Sequence, residues 1–142
     1  MGTLTEVNPS THELLTETLD EGLWWNVLTL IVEFLRSKGV EQIHVEFGFI
    51  LKRDLEGKPQ APERLIKLAD LEATIREGFD DGTIEWAQSS DFVFRAVGID
   101  LALMLCNDAD LHLASADRDL VIELGRKIRS SGIKVYDSGR LI

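Results

Sequence analysis

Two long stretches of the chain place hydrophobic residues three and four positions apart, which is the spacing of an amphipathic helix. The first stretch predicts a helix over residues 23–38, and the second predicts a helix that begins after Asp117. Asp117 is a favoured N-cap residue, and Gly39 and Gly132 follow the two stretches, where glycine commonly ends a helix. The apolar stripes consist of Leu23, Val27, Leu30, Ile31 and Phe34 in the first stretch and Leu120, Val121, Leu124 and Ile128 in the second.

Capping signals and a shorter stripe predict further helical segments. Residues 10–13, Ser-Thr-His-Glu, match a capping box and predict that a helix begins there. Pro62 is suited to the first turn of another helix, which would run to about Phe79, where residues 80–82, Asp-Asp-Gly, break it. The apolar face of that helix would consist of Leu65, Leu68, Leu71 and Ile75.

Alternation of apolar and polar residues predicts the strands. Residues 42–52 alternate along their whole length, which is typical of a half-buried strand. Residues 99–106 are almost entirely apolar and predict a central strand. Shorter strands are predicted over residues 83–87, 92–97, 111–116 and 133–137. Because several strands follow one another through short turns, we expect antiparallel pairing.

These elements predict an α+β fold, in which helices lie mainly on one face of an antiparallel or mixed sheet of about five strands. The length of 142 residues is typical of one domain, so residues 1–142 are predicted to form a single domain. Residues 1–9 are largely polar and end in Pro9, and we expect them to form a flexible leader.

The chain is strongly acidic. It has 25 Asp and Glu residues against 15 Lys and Arg residues, and its formal net charge is −10. Because nucleic acids and anionic membranes both attract cations, this charge argues against either as a partner. It favours a basic protein as the partner, since the negative field would attract one. The alternative is that the charge serves solubility alone.

Other compositional features narrow the class of protein. The one cysteine, Cys106, lies in an apolar run, which is typical of a buried side chain and fits a reducing cytoplasm. The N-terminus lacks the basic and apolar regions of a secretory signal peptide. The phosphate-binding, nucleophile and zinc motifs of known spacing do not occur. We therefore expect a cytoplasmic protein without a cofactor or a bound metal.

Two pairs of polar residues are the candidate catalytic residues. His44 and Glu46 lie two positions apart on one predicted strand, and Asp110 and His112 lie two apart on another. Side chains two apart share a face of a strand, so neighbouring strands could bring all four together. Such a set could carry out acid–base chemistry or hold a divalent metal. The simpler interpretation is that these residues belong to half-exposed strands.

Acidic loops and adjacent tryptophans supply the candidate partner-binding residues. The loops together could present a negative patch to a basic protein, although turn and cap chemistry explains most of these acids individually. Adjacent helical residues point about 100° apart, so one of the two indoles could face a partner, and tryptophan is enriched at interfaces. The predicted partner-binding residues are Asp80, Asp81, Asp91, Asp108, Asp110, Trp24 and Trp25.

Three functional hypotheses follow from these observations. The first is a protein-binding module, such as an immunity or inhibitor protein that masks a basic partner. The second is a small-ligand or metal-dependent enzyme that uses His44, Glu46, Asp110 and His112 on a polar strand face. The third is a homodimeric accessory protein that associates through one of the paired tryptophans.

Overall fold

The computed structural model describes residues 11–47, 64–80, 92–105 and 109–142. Within these residues the chain forms three α-helices and one antiparallel sheet of eight strands, which is an α+β fold. The predicted α+β class is therefore confirmed, whereas the predicted number of about five strands is wrong.

The eight strands form one continuous sheet in the described part of the chain. Their order is β3-β2-β4-β5-β6-β1-β7-β8, and each neighbouring pair is antiparallel. The strands are β1 (His12–Thr16), β2 (Gln42–Phe47), β3 (Arg64–Lys67), β4 (Phe92–Ala96), β5 (Ala102–Leu105), β6 (Leu111–Ser115), β7 (Val135–Asp137) and β8 (Arg140–Leu141). Strand β1, the first in the sequence, therefore lies between β6 and β7, which belong to the C-terminal part of the chain.

Strands β1, β3 and β8 were not predicted. The capping box over residues 10–13 predicts a helix, but β1 begins at His12 and pairs with both β6 and β7. The helix predicted from Pro62 begins only at Leu71, because β3 precedes it and pairs with β2. Leu65 has helical spacing to Leu68, yet it lies in β3 and its residue surface is 53% exposed. The predicted leader 1–9, strand 83–87 and Cys106 lie outside the described residues.

The two helices with the longest apolar stripes agree with prediction. The three helices are α1 (Glu21–Ser37), α2 (Leu71–Asp80), which follows a 3-10 turn at Leu68–Asp70, and α3 (Arg118–Ser130). The Asp117 carboxylate accepts a hydrogen bond from the Leu120 backbone N–H at 3.3 Å and so caps α3. Gly39 and Gly132, just beyond α1 and α3, have φ angles of 80° and 97°, the left-handed conformation expected of them.

Helices and sheet share one hydrophobic core. Phe94 of β4, Leu113 of β6 and Leu14 of β1 are fully buried and belong to one face, which we call the inner face. Helix α1 contacts this face where Trp24 stacks on Phe94, with ring centroids 6.1 Å apart. Helix α3 contacts it at Gly125, where an added Cβ would lie 2.5 Å from Leu14 Cδ1. The placement of all helices mainly on one face stays a prediction.

Candidate functional site

The outer face of the sheet carries a histidine flanked by two carboxylates. The Nε2 atom of His112 on β6 lies 3.3 Å from Asp110 Oδ1, and its Nδ1 atom lies 3.7 Å from Glu13 Oε1 on β1. The side chains of His112, Glu13 and Asp110 are 11%, 14% and 20% exposed. The three side chains are therefore mostly shielded from water while keeping some access to it. We call them the histidine cluster.

The pairing of β1 with β6 positions the histidine cluster. Leu15 lies directly opposite His112, so Glu13, two residues earlier, is a diagonal neighbour of His112 on the outer face. The buried hydroxyl of Thr16 accepts a hydrogen bond from the Leu111 backbone N–H at 2.9 Å. It donates one to the backbone carbonyl of Glu17 at 2.8 Å. The bond from Leu111 ties the end of β1 to the start of β6 and supports the register.

The other predicted catalytic pair lies elsewhere on the sheet. Strands β4 and β5 separate β2 from β6, so at about 4.8 Å per strand His44 and Glu46 are about 14 Å from the strand of Asp110 and His112. The structure thus brings Asp110 and His112 together and adds Glu13, but it does not bring the β2 pair to them. In the described part of the chain, no group of three or more His, Cys, Asp and Glu side chains has the arrangement of a metal site.

A second candidate site lies where the start of α1 meets the end of α2. Trp25 is half-buried, and Phe79 packs edge-on against it with ring centroids 5.8 Å apart. The guanidinium carbon of Arg76 lies 4.1 Å from the centre of the Trp25 ring, and the same group donates a hydrogen bond to Glu72 at 3.0 Å. We call Trp25, Glu72, Arg76, Phe79 and Asp80 the α1–α2 surface.

Exposed carboxylates belong to the α1–α2 surface. Asp80 is exposed and follows Phe79, Glu72 is also exposed, and the last turn of α2, as far as it is described, contains no basic residue. Glu21, one helical turn before Trp25, is also exposed. An aromatic face beside carboxylates is a setting that stabilises a bound cation.

The predicted partner-binding residues are distributed over several environments. Trp24 is fully buried against Phe94, so its ring lies in the core and not on the surface. Asp110 belongs to the histidine cluster. Trp25 lies on the α1–α2 surface, and Asp80 follows Phe79 there. The remaining predicted residues, Asp81, Asp91 and Asp108, lie outside the described ranges.

Both candidate sites contain residues that the sequence analysis missed. Glu72 and Arg76 do carry a usable signal, because an acid four positions before a base is the spacing of a helical ion pair. Phe79 lies three positions after Arg76 and so shares its side of the helix. Glu13 carries no comparable signal, because the strand that brings it to His112 lies far along the chain.

The chain was compared with protein-family models, with curated proteins and with solved structures, and none of the three comparisons gave a match. Among the described residues, no helix combines the length and the apolar character needed to span a lipid bilayer. Any functional assignment must therefore come from the geometry of the two candidate sites.

Proposed function

We propose that this chain is a protein-binding module that recognises a basic protein, as an immunity or inhibitor protein does when it masks a cationic surface. The observation that supports this function is the α1–α2 surface, where a half-buried Trp25 lies beside exposed carboxylates in a chain of net charge −10. Tryptophan is among the residues that contribute most to binding energy in protein interfaces. The carboxylates supply charge complementary to a basic partner.

The excess of acidic over basic residues lies in the part of the chain that contains α1 and α2. Residues 1–117 contain 22 of the 25 acidic residues and nine of the 15 basic ones. Residues 118–142, which include α3, contain three acidic and six basic residues. The C-terminal segment therefore carries a net positive charge, and the negative field that would attract a basic protein originates from the rest of the chain.

Charge and the aromatic contact would contribute to binding in different ways. Long-range attraction speeds association and is screened by salt, with a Debye length of about 8 Å at physiological ionic strength. A contact made by Trp25 acts at short range and mainly slows dissociation. Binding should therefore weaken as salt is raised, and truncation of Trp25 should weaken it further at every salt concentration.

Binding of the whole chain to purified cationic proteins tests this function. Pancreatic ribonuclease, lysozyme and histones serve as basic probes and ovalbumin as an acidic one, with affinities measured on a biosensor at low and high salt. We expect salt-sensitive binding to basic probes, no binding to ovalbumin, and a loss of about tenfold in affinity for Trp25→Ala. Tyr136→Ala, which truncates a half-buried aromatic on β7, is the control and should keep wild-type affinity.

Two outcomes would contradict the proposed function. One is that no basic probe binds at low salt. The other is that binding occurs but does not respond to salt or to Trp25→Ala, because neither charge nor the α1–α2 surface would then contribute to it.

The histidine cluster favours a second candidate function, which is proton transfer. An imidazole with a carboxylate near each ring nitrogen can hold a proton and exchange it with a bound substrate, as histidine does in general acid–base catalysis. An open groove of about 500 Å³ adjoins Glu13 and is lined in part by His12, Leu15 and Tyr136. The groove is large enough to admit a small ligand.

A screen of the purified protein for hydrolase and lyase activity tests this second function. If an activity is found, His112→Gln and Glu13→Gln should abolish it, whereas Trp25→Ala should leave it intact. Persistence of the activity in His112→Gln would exclude the histidine cluster as its source. His44 and Glu46 are not included in this candidate, because three strand spacings separate them from His112.

The alternative to a basic partner is that a second copy of the chain binds the α1–α2 surface. The chain would then be a homodimeric accessory protein. Two copies of an acidic surface repel each other, which disfavours this association. Sedimentation at micromolar concentration distinguishes the two occupants. A monomer agrees with a basic partner, and a dimer that dissociates in Trp25→Ala would favour self-association.

A further inference from the structure

Arg76 is held on the α1–α2 surface by the two contacts that an arginine of another protein would make there. Its guanidinium carbon lies 4.1 Å from the centre of the Trp25 ring, and its Nη2 atom donates to Glu72 Oε1 at 3.0 Å. Stacking on an aromatic face and pairing with a carboxylate are typical contacts of arginine in interfaces. Arg76 is thus an internal occupant of a guanidinium site.

The contacts of Arg76 can be exchanged, whereas the site itself is held in place. The side chains of Arg76 and Glu72 are 53% and 50% exposed, so water solvates both groups and screens their attraction. Trp25 is half-buried and packs against Phe79, with ring centroids 5.8 Å apart. The ring therefore has a support that does not depend on Arg76.

We infer that an arginine of the basic partner takes the place of Arg76 on Trp25 and Glu72. This inference rests on the proposed function, because it identifies the chemical group that the α1–α2 surface recognises. In the exchange Arg76 turns to solvent, to which its side chain is already 53% exposed. Arginine is preferred to lysine because its planar group can stack on the ring and pair with the carboxylate together.

The exchange has a measurable consequence for affinity. Arg76 and the incoming arginine compete for one site, so the apparent affinity is lowered by the fraction of molecules in which the site is open. Removal of the Arg76 guanidinium should therefore strengthen binding of an arginine-containing ligand, and the gain should depend on Trp25.

Titration of the full chain with a hexa-arginine peptide, followed by calorimetry, tests this consequence. Arg76→Gln should bind the peptide about five- to tenfold more tightly than the wild type. Arg126→Gln removes the same charge from the exposed surface of α3, and it should change the affinity by less than about twofold. A hexa-lysine peptide should gain less from Arg76→Gln than hexa-arginine does. In the double variant with Trp25→Leu, the gain should disappear.

The outcomes separate the inference from the function on which it rests. Equal gains in Arg76→Gln and Arg126→Gln, or a gain that survives Trp25→Leu, would overturn the exchange, because only net charge would then matter. If the wild type binds hexa-arginine and Arg76→Gln binds it with the same affinity, the exchange is also overturned, but the proposed function stands. Failure of the wild type to bind any basic probe would contradict the proposed function itself. Arg76→Lys, which keeps the charge but not the planar group, should show a smaller gain and replaces Arg76→Gln if that variant does not fold.

Discussion

Helices α2 and α3 both carry an acidic residue in the first turn, but they differ in the basic residues of their last described turn. In α3, Asp117 caps the N-terminus, Asp119 lies in the first turn, and Lys127 and Arg129 lie in the last turn. In α2, Glu72 lies in the first turn, and the last turn of the described part, as far as Asp80, contains no basic residue. Charges in α3 thus lie at both ends where the dipole stabilises them, whereas α2 has such a charge in its first turn and none in its last described turn.

This difference separates charges that support the fold from one that does not. A favourably placed charge stabilises a helix by about 0.3–1 kcal/mol, and an unfavourable one costs a similar amount. Asp117 and its neighbours therefore have a structural role, whereas the described part of the chain gives Asp80 no capping or pairing role. Asp80 is exposed and follows Phe79, which packs against Trp25 on the α1–α2 surface. Net charge alone cannot make this distinction, since Asp80 and Asp117 count equally in it.

The packing of α3 on the sheet gives the largest expected effect. An added Cβ at Gly125 would lie 2.5 Å from Leu14 Cδ1, so Gly125→Val must displace part of the core. We expect the free energy of unfolding, measured in urea, to fall by about 3 kcal/mol, because overpacking and the restricted rotamers of valine both destabilise the helix. Ala73→Val on the exposed side of α2 is the control and should cost less than about 1 kcal/mol.

A Gly125→Val protein as stable as the wild type would mean that α3 and β1 can move apart without cost. The packing of α3 on the sheet would then contribute little to the stability of the fold.

The elements that could be predicted from the sequence are those whose signals are local. The apolar stripe of α3, its cap Asp117 and the terminating Gly132 are close together in the chain, and each is in the expected conformation. Strand β1 was missed because its partners β6 and β7 lie near the other end of the chain. Residues 10–13 match a helix cap, but pairing with two distant strands outweighs that local preference.

The candidate sites likewise contain some contacts that local sequence spacing predicts and others that it does not. The spacing of Asp110 and His112 predicts that they share a strand face, and their side chains do meet. The expectation that His44 would join them depended on strand order, which the alternation of residues along a strand does not encode. The contact of Trp25 with Phe79 likewise depends on how two helices pack, and sequence spacing carries no information about it.

Removal of the α3 cap should have the next largest effect. The Asp117 carboxylate accepts a hydrogen bond from the Leu120 backbone N–H at 3.3 Å, and Asp117→Ala removes this acceptor. We expect the free energy of unfolding to fall by about 1 kcal/mol, with unchanged affinity for basic probes. Asp117→Asn, which keeps an acceptor, should be close to wild type in stability. A loss of probe binding in Asp117→Ala would show that the charges of α3 also contribute to partner recognition.

The smallest expected effect on stability bears most directly on the α1–α2 surface. Asp80→Asn removes an exposed carboxylate from the residue after Phe79, so we expect the free energy of unfolding to change by less than about 0.5 kcal/mol. The same change should weaken binding of basic probes by about two- to fivefold, since it removes a charge that attracts them. Asp119→Asn is the matched control in the first turn of α3, where it should lower stability by a similar amount and leave binding unchanged. If Asp80→Asn instead destabilised the protein by more than this, the carboxylate would have a role in the fold, and Trp25 with its neighbours would have to account for partner recognition without it.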